Sequence, residues 1–337
     1  MNLLLFDKKK FDRLYNCTLY DAGYFDAVKT PNAFVGTLYI FAGIAYELLY
    51  IPCLITMSKE KFLKSSCYKF MFFLGIIDIL TIPFNATLYG WFALQGGVFC
   101  DNPMLEYFAG ALTTALWCAA SMTCVLLAIN RLCDLATVNL MQLFFSGHRT
   151  YFWCILPVIY FYYFFMYTKP FMSTAAFYAG FSNPYVGTAF QAQTDAEYMN
   201  LSLIIHNIVI PISMVLIYTF ICAVMIYKTM KQKSTGESGL SKHQKTAIIQ
   251  SSLLCSVFVM APVIYDYMNY FGAPPFMVVI GQICWQSCHG SAVIIYLIFN
   301  KSLRDEMYRT FVGGRIKVSV SATKPHTATA SGNRSLT

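Results

Sequence analysis

Phe276–Phe311 reads FMVVIGQICWQSCHGSAVIIYLIFNKSLRDEMYRTF, and its change of character at Asn300 decides the fold. No Asp, Glu, Lys or Arg falls between Phe276 and Phe299. At about 1.5 Å per residue that run makes a helix roughly 36 Å long, enough to cross a bilayer with some tilt. Gln282, Trp285, Gln286 and His289 recur at helical spacing and share one face. Polar groups at such depth face protein or water rather than lipid. Beyond Asn300, Leu303, Met307 and Phe311 line one side of a further segment, and Lys301, Arg304 and Arg309 line the other. That is the pattern of a helix lying along the membrane surface.

Working outward, 57% hydrophobic and 12% charged residues in a chain of 337 leave too little polar surface for soluble domains. Seven runs are long enough to span, at about 33–57, 68–94, 105–130, 151–167, 198–227, 246–271 and 276–299. The expected fold is all-α, a polytopic bundle of seven transmembrane helices over 33–299 with a short amphipathic helix over 300–312. Residues 1–32 form an external tail, and the Ser- and Thr-rich 313–337 a disordered internal one.

Lys and Arg set the orientation. With the N-terminus outside, the internal segments hold three (59–66), two (131–150), five (228–245) and seven (300–337), against Lys169 alone in the external loops. The external tail, with five, is discordant and is partly offset by Asp7, Asp12, Asp21 and Asp26. The net charge of +8 therefore reads as topology and lipid headgroup contact, not nucleic-acid binding. Leu3–Phe6 is too short an apolar core for a signal peptide, so the first span is expected to direct its own insertion.

Most of the twelve cysteines fall inside apolar runs; only Cys17 and Cys100 sit on the oxidising side of this topology. A Cys17–Cys100 bridge would clip the tail over the third span, and two free thiols are the alternative that sequence leaves open. Asn16-Cys17-Thr18 is a glycosylation sequon placed where it is usable, at Asn16.

Glu47 and Asp78 lie about 16 and 15 Å from the internal ends of their spans, and Ser121 and His289 come out at nearly the same level. A buried polar cluster is expected there, with a bound cation or one protonated carboxyl; the alternative is that each group finds a serine or a carbonyl separately. Toward the external side, Thr113 and His206 lie about 12 Å deep, Gln282 about 9 Å and Gln286 about 15 Å, beside Trp117 and Asn207. Tyr265, Asp266, Tyr267 and Tyr270 add a polar aromatic rim, and Pro157, Pro211 and Pro262 favour kinks that open cavities. A few polar groups in an aromatic setting suit a small-molecule site, against the alternative that they only join helices.

No phosphate loop, dinucleotide fingerprint or zinc-protease motif occurs, so neither an enzyme nor a cofactor is expected. Cys284, Cys288 and His289 read as packing rather than a metal site. Spans three to seven carry only Asp266 as a firm acidic residue, and no internal repeat is evident. Ion-coupled transport is thereby disfavoured, and a channel or transporter for a small solute stands as the alternative function.

Seven spans with an external N-terminus resemble a G-protein-coupled receptor. Leu74-Gly75-Ile76-Ile77-Asp78, Asn130-Arg131-Leu132 and Ile295-Tyr296 followed by Asn300-Lys301 resemble motifs of rhodopsin-like receptors. That likeness implies that Arg131 contacts the G protein when the internal helix ends separate and that Tyr296 swings to support that state. The chain departs from the pattern at Asn130, Met260, Ala292 and Val293; the second external loop has no cysteine, and the seventh span no lysine for a retinal Schiff base. YNCT near the start, LYIPCLITM in span one, CYKFMFFLGIID in span two and GGVFCDNP before span three are similar to the nematode class T serpentine chemoreceptors over about residues 14–312. The resemblance implies a sensory receptor in the plasma membrane of chemosensory neurons or their cilia. It would take a small-molecule, odorant-like ligand and a heterotrimeric G protein, with arrestin a further candidate partner.

Overall fold

A computed structural model describes residues 1–18, 22–174, 176–189, 191–235, 242–271 and 274–313. The expected disordered tail lies outside the described residues from 314 onward, as do 236–241 of the basic connection and Asp21.

Among the described residues, seven helices are long and apolar enough to cross a membrane. They are α1 (Ala33–Met57), α2 (Ser66–Gln95), α3 (Pro103–Ala136), α4 (Arg149–Tyr167), α5 (Leu201–Thr235), α6 (Lys242–Phe271) and α7 (Pro275–Phe299). A surface helix, α8 (Lys301–Phe311), follows. The all-α reading is right for the bundle, with one addition described below, a two-stranded hairpin.

Local chemistry sets the ends. The Asn32 side chain accepts from Val35 N at 3.1 Å and caps α1. Gly96 at φ +63° closes α2 in the left-handed conformation that glycine adopts at least cost. Pro103 opens α3, where its missing N–H is no loss. Asn300 caps α8 by accepting from Leu303 N at 3.1 Å, and it exchanges hydrogen bonds with Tyr68 of α2. Between Pro83 and Leu88, α2 widens into a π-helical turn, and α4 breaks at Cys154.

Helix α3 is the central post: 78% of its most apolar stretch is buried, against 17% for α4 and 22% for α5. The peripheral helices instead expose Phe41, Ile159 and Phe220. In water such surface would drive association; in a bilayer it meets acyl chains. Gly36 and Gly90 let α1 and α2 approach backbone to backbone, since a Cβ on either would overlap the other's carbonyl oxygen.

The end of the bundle bearing the N-terminus is capped. The tail is not extended chain but three short helices, Asn2–Phe6, Lys8–Leu14 and Ala22–Ala27. Its apolar side packs Phe11, Leu14 and Tyr15 against Tyr107, Tyr185 and Tyr198. Cys17 and Cys100 are joined by a disulfide, with Cα atoms 5.4 Å apart. The α4–α5 connection folds into β1 (Met172–Thr174) and β2 (Ala179–Phe181), an antiparallel pair in which Ser173 faces Gly180, and then the helix Gln191–Tyr198. Aromatic and apolar side chains in both segments gain more by burial here than by exposure in loops.

At the opposite end, α8 lies against the α1–α2 turn. Leu303 is buried, and Glu306 pairs with Lys59 at 2.8 Å and also with Lys61.

Candidate functional site

The π turn at Pro83 does the first structural work. A widened turn breaks the regular bonding ladder and leaves a carbonyl free for outside donors. That carbonyl belongs to Asn85, and both Gln282 Nε2 and Gln286 Nε2 of α7 donate to it at 3.1 Å. Gln282 Oε1 in turn accepts from Tyr265 of α6 at 2.9 Å and from Gly180 N of the hairpin at 3.4 Å. The polar face expected on the seventh span therefore joins α2, α6 and the hairpin.

Beside this network lies a narrow, partly open cleft. Trp117 and Thr114 form its α3 wall, Leu203 and Asn207 its α5 wall, and Trp285 its α7 wall. Ala261, Pro262 and Tyr265 of α6 and Phe171 before the hairpin complete it. Trp117 stacks on Phe258 at 5.4 Å between ring centroids, and its indole N–H donates to Asn207 Oδ1 at 3.4 Å.

Of the eight residues expected to bind ligand, Trp117, Asn207 and Tyr265 line the cleft. Gln282 and Gln286 stand behind it on the Asn85 carbonyl. Asp266 is reached through Asn207, whose Nδ2 lies 3.5 Å from Asp266 Oδ1. Thr113 and His206 depart from expectation. The Thr113 hydroxyl turns back to Ala109 O at 2.9 Å, leaving the cleft position to Thr114. His206 faces α4, where its Nδ1 lies 3.0 Å from the Tyr160 hydroxyl. Residue depth along a helix does not give rotation about its axis, and these two faces differ by that rotation. Tyr267 is exposed, and the side chain of Tyr270 lies outside the described residues.

The expected polar cluster is smaller than its four members. His289 Nδ1 and Asp78 Oδ1 are 2.8 Å apart, and Tyr50 donates to Asp78 Oδ2 at 2.5 Å. Ser121 instead bonds its own helix at Trp117 O, 2.8 Å away, and Glu47 is not among the partners of Asp78. Tyr50, three residues beyond Glu47, takes the place expected for the carboxylate.

Near α8, Asn130 Nδ2 donates to Ser66 Oγ at 2.9 Å, and Arg131 bonds Cys67 Sγ and lies 3.9 Å from Asp134. Arg131 is 9% exposed, and the Tyr296 hydroxyl is buried without a partner among the described residues. At the other end, the Asn16 side chain accepts from Thr18 N at 2.8 Å, an Asx turn.

Sequence reasoning missed Phe171, Thr114, Leu203, Ala261 and Glu106, the last a buried acid within the third span, where Asp266 alone was expected across spans three to seven. Glu106 is buried at the head of α3 and accepts from Ser173 N and Oγ at 3.0 Å, fixing the hairpin. An acid in the first turn of a long apolar run was the one available signal for it.

Comparison with known proteins gives the family. The family described as serpentine type 7TM GPCR chemoreceptor Srt matches residues 1–320. The chain belongs to the class T serpentine receptors. Serpentine receptor class T-55 of Caenorhabditis elegans is 27% identical over 274 residues, which cover 80% of this chain and 73% of that protein. This class T receptor is thus a multi-pass membrane protein of a receptor class rather than of an enzyme family.

Proposed function

We propose that the protein is a chemosensory receptor that binds a small external molecule in the cleft and activates a heterotrimeric G protein. The cleft wall at Trp117 carries this reading, because the same ring touches both the ligand space and the buried tie between α2 and α7. Its centroid is 6.1 Å from that of His289, whose Nδ1 meets Asp78. A ligand that displaces Trp117 therefore acts on the contact holding two helices in register. Cleft contacts would come from Trp117, Asn207 and Tyr265, with Gln282, Gln286 and Asp266 positioning them.

Residues 1–32 lie outside in the plasma membrane of the sensory cell or its cilium, with Asn16 available for glycosylation. Residues 33–299 form the receptor domain, and α8 rests on the internal leaflet. Asn130, Arg131 and Tyr296 form the coupling end. Enclosed as Arg131 is, this arrangement corresponds to the uncoupled receptor, and arrestin would compete for the same end once it opens.

The test is nucleotide exchange on purified G protein by receptor in lipid nanodiscs, screened against volatile and peptide libraries. Ligand-dependent exchange is the expected result. Ligand-gated current in cells lacking G-protein partners, without exchange, would make the protein a channel instead. Epitope tags at both termini of intact cells should be reachable by antibody only at the N-terminus.

A further inference from the structure

The cleft is closed toward the capped end by two layers. The hairpin is the inner one. Phe171 N donates to Thr114 Oγ1 at 3.2 Å, Ser173 to Glu106, and Gly180 N to Gln282 Oε1. Gly110 has no side chain where Phe171 crosses it; a Cβ there would overlap the Phe171 carbonyl. The tail is the outer layer, with Met172 of the hairpin fully buried in the aromatic cluster of Tyr15 and Tyr107.

The side walls differ. Tyr265–Gln282, Cys288 Sγ to Val257 O at 3.3 Å, and the fit of Gly281 against Ile264 and Met268 close the α6–α7 seam. Trp117–Asn207 closes the α3–α5 seam, with Tyr160 and His206 behind it. At the α5–α6 seam the cleft is bridged by Asn207 and Asp266 at 3.5 Å, the limit of a hydrogen bond, and the next tie, Tyr218 to Cys255 Sγ at 3.2 Å, lies about three turns deeper along α6. Pro262 lies at that level and has no N–H to tighten the helix. Ile208 and Val263 beside it are exposed toward lipid.

The cleft chemistry is equally one-sided. The hydroxyl of Thr114 is bonded to Gly110 O, that of Tyr265 to Gln282, the Trp117 indole to Asn207, and Asn207 to Asp266. Among the described residues, the Trp285 indole N–H is the polar side-chain group of the cleft that has no hydrogen-bond partner. A ligand rich in donors would have to break existing bonds, each replaced at no gain.

Resting on the reading of this cleft as the ligand site, we infer that its ligand is an apolar molecule with one hydrogen-bond acceptor for Trp285, and that it enters from the bilayer between α5 and α6. Aliphatic ketones, esters and aldehydes have this chemistry.

The experiment uses the full chain in nanodiscs with Trp91→Phe and Trp153→Phe, so that emission comes from the two cleft tryptophans. A terminally brominated decanone should quench about half of that emission or more. The matching bromodecane, lacking the acceptor, should need a concentration about tenfold higher. Aqueous iodide should leave the emission unchanged. An oxidised Asn207→Cys/Asp266→Cys pair should slow the onset of quenching about tenfold relative to Asn207→Cys alone. Quenching by iodide, equal potency of ketone and alkane, or an onset unchanged by the cross-link would each overturn the inference. If quenching behaves as expected but no such ligand drives nucleotide exchange, the receptor reading fails and the access route stands.

Discussion

His289 Nδ1 lies 2.8 Å from Asp78 Oδ1, and neither side chain reaches solvent. This contact joins α2 to α7, is completed by Tyr50 from α1, and sits edge-on to the Trp117 and Phe258 rings. A buried polar tie of this kind costs more to half-remove than to remove altogether. His289→Leu should lower the unfolding free energy by about 1–3 kcal/mol, and Asp78→Leu/His289→Leu should restore part of it. Thermal unfolding in detergent measures both; an additive double variant would deny the coupling.

Gly110 tests the lid. Gly110→Val places a branched side chain where the Phe171 backbone passes, at a cost of about 1–3 kcal/mol from overpacking. Hydrogen exchange at residues 171–181 should accelerate while the centre of α3 stays protected. Unchanged protection in the hairpin would show that the close approach does not hold it.

Trp117 and Gln286 separate lining from support. Trp117→Ala removes a cleft wall and should raise the ligand concentration for half-maximal response tenfold or more, the scale of about 1.4 kcal/mol. Gln286→Leu removes one of two donors to the Asn85 carbonyl and should weaken the response less. Unaltered dose curves for both would remove the cleft from the ligand pathway.

Arg131→Ala should leave surface expression intact and abolish ligand-driven exchange. The side chain is held by Cys67 and Asp134, contacts within the same end of the bundle, so its loss leaves the membrane-facing surface untouched. Full signalling by the variant would end the assigned role.

The docking of α8 depends on pH. Hydrogen bonds from Lys59 and then Lys61 hold the Glu306 carboxyl down to about 2, below its ordinary 4.5. A carboxyl lowered in the folded state contributes stability above its unfolded value and loses it as pH falls toward the folded one. Protection of residues 301–311, measured relative to the intrinsic exchange rate at each pH, should therefore be flat from about pH 6 to 8 and fall below about pH 4, with Glu306→Gln abolishing the change. High salt should produce a milder version of the same loosening, since the charges are near solvent.

The number of spans, their approximate limits and the surface helix were legible in the residue order. So was the inward polar face of α7, where Gln282, Gln286 and His289 recur at helical spacing and all find partners in the bundle. Each of these follows from one helix at a time. Lipid offers no hydrogen bonds, so an apolar run must satisfy its own backbone as a helix, and its length and periodicity are written locally.

Pairings across helices were not legible, and the residues show why. Glu47 and Tyr50 lie one turn apart on α1, yet the phenol meets Asp78; Thr113 and Thr114 are neighbours, yet the second faces the cleft. Depth can be counted from a helix end, whereas facing depends on rotation about the axis, and the π turn after Pro83 resets that rotation partway along α2. The hairpin lid arises from a loop whose aromatic composition signalled burial without saying against what. By itself the sequence determined how often the chain crosses the bilayer, because solvation of the backbone in lipid is a local constraint. Only tertiary packing decided which side chains meet inside, because contact between helices depends on rotation and register that no single segment encodes.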